Sequence, residues 1–411
     1  MIIPVLILAI VFFLIAIRQV GNIRLEIWQI MSLGAIAVLL TGQISVTQSV
    51  NAVNVDVMLF LFGMFIIGQA LELSGYLSHL SYRFFRNAKS IDAIILYILF
   101  GMGFASAFLM NDTLAIIGTP VVLLLAKEHN INPKILLLAL AFAVTTGSVI
   151  SPIGNPQNLL IAIESDMENP FVTFMGTLLV PTTINLFVAY LVLRLSFREH
   201  FSSSALTYSK QPITDAKLAG LASLALKLVV LLVCAKILLA LTGLQFDLKL
   251  TYIALIASLP ILLFSRRRKE ILNGLDWHTL LFFASMFILM ESVWNSGLFQ
   301  ALINGTGTDI TTIPMIMAIS VVLSQFISNV PLVALYMPVL SHSGITTAGL
   351  LALAAGSTIA GNFCIMGAAS NVIIIHNAER KGKVSLSFFE FARTGIPLTI
   401  AQIFVYWLFI G

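Results

Sequence analysis

The sequence predicts an all-α polytopic membrane protein built as an inverted repeat, each half holding five transmembrane helices and one re-entrant hairpin. Three observations predict it. The 411 residues are 59% hydrophobic and only 10% charged, with a mean hydropathy of +1.02, a balance that suits the bilayer and not water. Many apolar segments approach or exceed the roughly 20 residues that cross about 30 Å of hydrocarbon. Polar breaks interrupt these segments in two matching pairs: Met110-Asn111-Asp112-Thr113 with Gly154-Asn155-Pro156-Gln157-Asn158-Leu159, and Ser328-Asn329-Val330-Pro331 with Gly367-Ala368-Ala369-Ser370-Asn371-Val372.

Ten spans are predicted at 1–17, 26–42, 55–75, 135–163, 170–193, 218–242, 247–264, 276–298, 348–376 and 394–411. Two of them, 135–163 and 348–376, are broken helices. The remaining apolar segments, 91–126 and 311–340, are cut near their middles and read as re-entrant hairpins. Backbone that leaves the helix at membrane depth is tolerated only where protein buries it or where it lines a wet cavity, so four such breaks imply a central polar site.

Charge tests the hairpin reading. If each hairpin enters and leaves on one side, the loops 18–27, 76–91, 127–134, 194–217, 265–275 and 377–393 share a face and carry 19 of the 22 Lys and Arg, against Lys249 alone on the other. Lys227 and Lys236 lie within the 218–242 span. The positive-inside bias then puts the basic face in the cytoplasm and both chain ends outside.

Phe62-Gly63-Met64-Phe65-Ile66-Ile67, followed by Ser74-Gly75, matches Ala284-Ser285-Met286-Phe287-Ile288-Leu289, followed by Ser296-Gly297. Hairpin, break and final helix follow in both halves, giving a first repeat at 1–195, a polar cytoplasmic linker at 196–217 and a second repeat at 218–411. Five spans per half is an odd number, so the halves are inverted and their breaks meet near the midplane. The two cysteines, Cys234 and Cys364, lie far apart in apolar segments and read as packing residues.

The run Asn111-Asp112-Thr113 through Thr119-Pro120-Val121-Val122, with Ser151-Pro152-Ile153-Gly154-Asn155-Pro156-Gln157-Asn158 and Ser328-Asn329-Val330-Pro331, resembles the ion transporter superfamily. Its similarity is to the branch of arsenite permeases, sodium/proton antiporters and citrate or anion permeases, related to the divalent anion/sodium symporters. In those symporters each hairpin tip reads Ser-Asn-Thr and holds carboxylate and sodium. This chain keeps the Asn of both tips, with Met110 and Asp112 flanking the first and Val330 following the second. The resemblance further implies an elevator-type motion and a homodimer.

The chemistry of the breaks can also be read directly. The amides of Asn111 and Asn329 offer donors to an anion and an acceptor to a cation. Half-helix N-termini favour anions, while unwound carbonyls suit sodium. Gly154 and Gly367 permit close backbone, and Pro156 removes a donor from a helix start. With Thr113, Asn155, Gln157, Asn158, Ser328, Ser370 and Asn371 they form the candidate substrate and ion site. Helix capping is the competing role for each Asn. Asp112 stands out, because an acid near mid-bilayer is a candidate proton carrier or cation ligand. Glu72 and Glu291 lie nearer helix ends, Lys236 is either a counter-ion for Glu291 or a snorkelling stem, and His376 ends a broken helix at the basic face. Thr145, Thr146 and Ser148 are candidate supporting hydroxyls, with back-bonding to their own helix the alternative.

No glycine-rich phosphate loop or soluble domain exists to drive a pump. None of the six His pairs with Cys or carboxylates at metal-ligand spacing, so an enzyme is disfavoured. No resident cofactor and no nucleic-acid partner are expected. Sodium at the breaks is the one ion the pattern leaves open. The pattern implies a secondary transporter of a small anion in the cell membrane, coupled to sodium or protons. The alternatives are a sodium/proton antiporter without an anionic substrate and a passive channel. Cysteines introduced at Ser343 and Asn304 are expected to react with impermeant reagents from outside, and one at Ser203 only from inside. Labelling of Ser343 and Ser203 from the same side defeats the inverted arrangement.

Overall fold

The protein is described by a computed structural model covering residues 2–17, 19–20, 23–165, 167, 169–201, 213–241, 248–297, 310–327, 329–342 and 344–411. Ser328, the labelling positions Ser203, Asn304 and Ser343, and residues 202–212 of the 196–217 linker lie outside these residues. Apart from a two-residue ribbon pairing Gln19–Val20 with Ile23–Arg24, the described regular structure is helical.

In chain order the helices are α1 (Ile2–Ile17), α2 (Ile27–Leu40), α3 (Val46–Ala52), α4 (Val55–Leu73), α5 (Tyr76–Phe85), α6 (Ile91–Leu109), α7 (Asn111–His129), α8 (Pro133–Gly147), α9 (Pro156–Glu164) and α10 (Pro170–Ser196). Next come α11 (Ala216–Leu241), α12 (Leu250–Phe264), α13 (Arg268–Asn273), α14 (Trp277–Asn295), α15 (Ile313–Ile327), α16 (Asn329–His342), α17 (Thr347–Ile359), α18 (Ala369–Gly382) and α19 (Phe388–Ile410). Among the described residues, seven stretches are long and apolar enough to cross a membrane: α4, α6, Pro133–Ile150, α10, Ala216–Lys236, α14 and α19. Five more apolar helices are shorter. Residues 76–91 and 265–275, expected as loops, contain the short helices α5 and α13. The first is turned into place by Gly75 at φ +75°, the left-handed region that glycine enters without steric cost.

Both interruptions expected in the first half and the broken helix expected in the second are present, while the expected tip of the second hairpin falls on Ser328, outside the described residues. α6 ends at Leu109 and α7 begins at Asn111, the chain reversing at Met110 with φ 65° and ψ 147°. That conformation is nearly exclusive to glycine, and at a buried methionine it stores on the order of 1–3 kcal/mol of strain. α8 gives way to a 3₁₀ turn at Ser148–Ile150 before α9, and α17 to 3₁₀ turns at Ala360–Asn362 and Ile365–Gly367 before α18.

The helices pack in two groups. α4 lies on α12, α2 on α14, α1 on α2, and α11 on α12. In the other group α7 packs on α8 and α18, α15 on α17, α9 on α16 and α17, and α10 on α19. The Cα of Gly147 faces Gly103 so closely that a Cβ there would stand 2.0 Å from the Gly103 carbonyl oxygen, which lets α6 and α8 touch backbone to backbone.

Ion pairs gather at one end of the molecule. Lys134 meets Glu390 at 2.5 Å, Arg194 meets Asp92 at 3.5 Å, Arg267 meets Glu270 at 2.6 Å and Asp215 at 3.8 Å, and Lys381 pairs with Glu72. All these residues lie in, or border, loops that the charge count puts on the basic face. The Arg267 guanidinium, hydrogen-bonded to Glu270, holds that exposed carboxyl below the usual carboxylate range. Lys249 bonds Asp56 at 2.9 Å at the opposite ends of α12 and α4.

Candidate functional site

The unwound segments are held by one asparagine each, in the same way. Asn158 Nδ2 donates to the carbonyls of Ser148 at 3.3 Å, Val149 at 3.5 Å and Ser151 at 3.2 Å. Asn371 Nδ2 donates to the carbonyls of Gly361 at 2.6 Å and Cys364 at 3.3 Å. Each amide reaches seven and ten residues back along its own break, and in both halves it satisfies carbonyls that a helix would have paired. Gly154 and Gly367 allow the tight fold-back, since a Cβ would stand 2.1 Å from the Ser148 oxygen and 2.4 Å from the Ala360 oxygen respectively.

The breaks are also tied to each other. Thr358 Oγ1 accepts from Asn155 Nδ2 at 3.1 Å and from Gln157 Nε2 at 3.4 Å, and donates to Asn158 Oδ1 at 3.2 Å. Asn362 Nδ2 donates to Thr146 Oγ1 at 3.0 Å and to Gln402 Oε1 at 2.9 Å. The start of α7 joins the same network, because the Asn111 N–H donates to the Gly154 carbonyl at 3.0 Å. Asn111 Oδ1 in turn accepts from the Asp112 N–H at 2.9 Å. In the second half Gln325 Nε2 ties α15 to the Ala360 carbonyl at 3.0 Å, and Cys364 Sγ donates to Gln325 Oε1 at 2.9 Å. Cys364 therefore does more than pack.

The starts of α7, α9, α16 and α18 border one cavity of about 660 Å³, lined there by Asp112, Pro156, Leu159, Val330 and Ala369. Its facing wall is apolar, with Phe60 of α4 and Phe283, Met286, Phe287 and Met290 of α14. Lys236, Asp56, Lys249 and Glu291 also line it. Lys236 Nζ donates to the Leu248 carbonyl at 2.8 Å.

Thus Asn111, Asp112, Thr113, Gly154, Asn155, Gln157, Asn158, Asn329, Gly367, Ser370 and Asn371 are all placed at the four breaks. The described side chains among them are buried. Their local roles differ. Asn155 caps α9 by accepting from the Asn158 N–H at 2.9 Å, and the Asn158 amide is engaged on both atoms. Among the described residues, Asp112 Oδ1, Asn329 Oδ1, Ser370 Oγ and Asn371 Oδ1 are buried without a protein partner. Sequence reasoning passed over Thr358, Asn362, Gln325 and Gln402. The two glutamines carried a usable signal, being isolated amides in apolar runs, whereas Thr358 looked like an ordinary helix residue.

Apolar helices enclosing a cavity bordered by broken segments define a multi-pass membrane transporter. Residues 10–349 match the family model of the citrate transporter, CitMHS, and the chain belongs to that family. It is 27% identical over 378 residues to a 46 kDa membrane protein of Mycobacterium leprae, covering 86% of this chain and 85% of that one. It is 24% identical over 436 residues to the silicon efflux transporter LSI3 of Oryza sativa subsp. japonica, covering 90% and 89%. Among solved structures, the YdaH transporter of Alcanivorax borkumensis superposes with a TM-score of 0.51 at 15% identity, over 99% of this chain and 95% of that one, a likeness of fold.

Replacing Thr358 by Val removes the partner of Gln157 Nε2 and of Asn158 Oδ1, while Asn155 Nδ2 keeps Ser148 Oγ at 3.0 Å, and is expected to destabilise by about 1–3 kcal/mol. Thr145→Val is expected to be neutral or stabilising, because its buried hydroxyl has no partner. Thermal unfolding of both variants in detergent checks this, and equal losses overturn the assignment of Thr358 as the link.

Proposed function

We propose that the protein is a secondary active transporter that moves a small anion across the membrane, coupled to a sodium or proton gradient. The observation that carries this reading is the cavity bordered by four helix N-termini. Each start carries the partial positive charge of its helix dipole, and four together favour an anion without any Arg or Lys at the breaks. The family's description makes citrate the first carboxylate to test.

Two features support cation coupling. Asp112 is an acid whose placement costs roughly 2.5–3.5 kcal/mol at mid-bilayer. The unpartnered oxygens of Asn329, Ser370 and Asn371 suit sodium, which takes oxygen donors from broken helices. Asn158, with its amide engaged internally, serves in this reading to hold the break open. A sodium/proton antiporter using Asp112 is the second reading. A channel is the third and is less favoured.

The inverted repeat, with halves 1–195 and 218–411, is supported by packing that exchanges under the repeat. α4 on α12 corresponds to α14 on α2, and α9 on α16 to α18 on α7. An elevator-type motion is supported by the cavity's position between the tips and the apolar wall of α4 and α14, a surface along which the tips could slide. Assembly as a homodimer belongs to the same reading.

Proteoliposome flux tests it. Anion uptake that requires a cation gradient is expected, whereas sodium-dependent proton movement alone supports antiport, and unsaturable uncoupled flux supports a channel. Asp112→Asn is expected to abolish gradient-driven uptake and to leave counterflow exchange largely intact. Wild-type coupling in that variant reassigns Asp112 to capping α7. Asn111→Ser and Asn329→Ser are each expected to weaken substrate binding at least tenfold, about 1.4 kcal/mol, and to combine non-additively because both tips touch one substrate. Substrate-dependent thermal stabilisation reads this, and unchanged binding in both single variants returns the two residues to capping.

A further inference from the structure

We propose that Glu26, His278 and His376 form a binding site for a divalent transition metal ion of the zinc type, remote from the transport cavity. One donor atom from each of the three lies within 4.8 Å of the others. Ligands bonded to zinc at about 2.1 Å in a tetrahedron stand roughly 3.4 Å apart, so closure needs a contraction of at most about 1.4 Å. Glu26 and His278 are exposed, and small rotations of their side chains against Trp28 supply that contraction.

The buried histidine is set up as a ligand. His376 Nδ1 lies 2.9 Å from Asp276 Oδ2, and Thr279 Oγ1 donates to the same oxygen at 2.7 Å. A carboxylate only accepts, so Nδ1 carries the proton and Nε2 keeps its lone pair for a metal. A carboxylate behind a ligating imidazole fixes its tautomer and raises its basicity, the usual support of a histidine–metal bond. Arg380 approaches Asp276 through the other oxygen, Oδ1, at 3.6 Å and donates to the carbonyls of Gly274 and Leu275. The acid thus stands between that cation and the imidazole.

Trp28 organises the other two donors. Its indole N–H donates to Glu26 Oε2 at 2.5 Å, and its ring stacks on His278 with centroids 4.7 Å apart. Two imidazoles and one carboxylate suit zinc or its neighbours and disfavour magnesium and calcium, which take oxygen. The donors come from the turn before α2, the first turn of α14 and α18, so a bound ion links the α2–α14 pair to the helix that follows the second break. The sequence hides this site because its members are 252 and 98 residues apart.

Calorimetric titration of the full chain in detergent, chelator-treated and with any affinity tag removed, tests it with Zn²⁺ and Mg²⁺. One Zn²⁺ per chain and no heat from Mg²⁺ are expected. His278→Gln and Glu26→Gln are each expected to weaken Zn²⁺ at least tenfold, and both alter exposed side chains that leave the fold intact. Asp276→Asn, a change at a positioning residue, is expected to weaken it 10–100-fold. Stoichiometric binding that survives His278→Gln unchanged, or no Zn²⁺ binding by the wild type, overturns the proposal.

Discussion

The structure depends on satisfying backbone carbonyls where two helices unwind inside an apolar protein. Such carbonyls find no water in a bilayer, and each left unpaired costs several kcal/mol. Asn158 and Asn371 meet this need from one helical turn inside the following helix, and their amides reach back over the break to the carbonyls they hold. The same offsets recur at both breaks, so one physical solution holds the two.

Once the breaks are held open, four helix starts become available to the cavity. Thr358 joins the two breaks through one hydroxyl, and the Asn111 N–H fastens a hairpin tip to the first of them. The symmetry is incomplete, and the difference is informative. Asn158 Oδ1 has the Thr358 hydroxyl as a donor, while Asn371 Oδ1 has no protein partner among the described residues. The second break therefore keeps oxygen atoms in reserve, whereas the first spends its own on internal order. Met110, bent into a conformation foreign to side chains, concentrates local strain at the first tip beside the only acid of the breaks.

Charge organises the ends of the molecule rather than its centre. Lys134 with Glu390 and Lys381 with Glu72 join segments more than 250 residues apart, and they do so where the loops are rich in Lys and Arg. Exposed pairs of this kind contribute little individually to stability. Their positions matter more, since they bring together the loop ends that a positive-inside count assigns to one face. His376 belongs to this end of the protein, bound to Asp276 and well separated in role from the breaks that shape the cavity.

The sequence by itself determined the helical membrane class and marked the breaks at Met110, Gly154 and Gly367, because hydropathy and helix punctuation are local properties of the chain. It also pointed to a doubled order of elements, through Met64 and Met286 and through the paired asparagines. Only the tertiary structure decided which of those polar groups are spent and which are free: Asn155 and Asn158 are engaged, whereas Asp112, Asn329 and Ser370 keep unpartnered oxygens. It alone brought Thr358 to the first break, Gln402 to Asn362, and Glu26 to His278 and His376. A hydrogen bond or a ligand set between distant helices depends on packing angle and register, and those arise from the whole fold rather than from any segment of it.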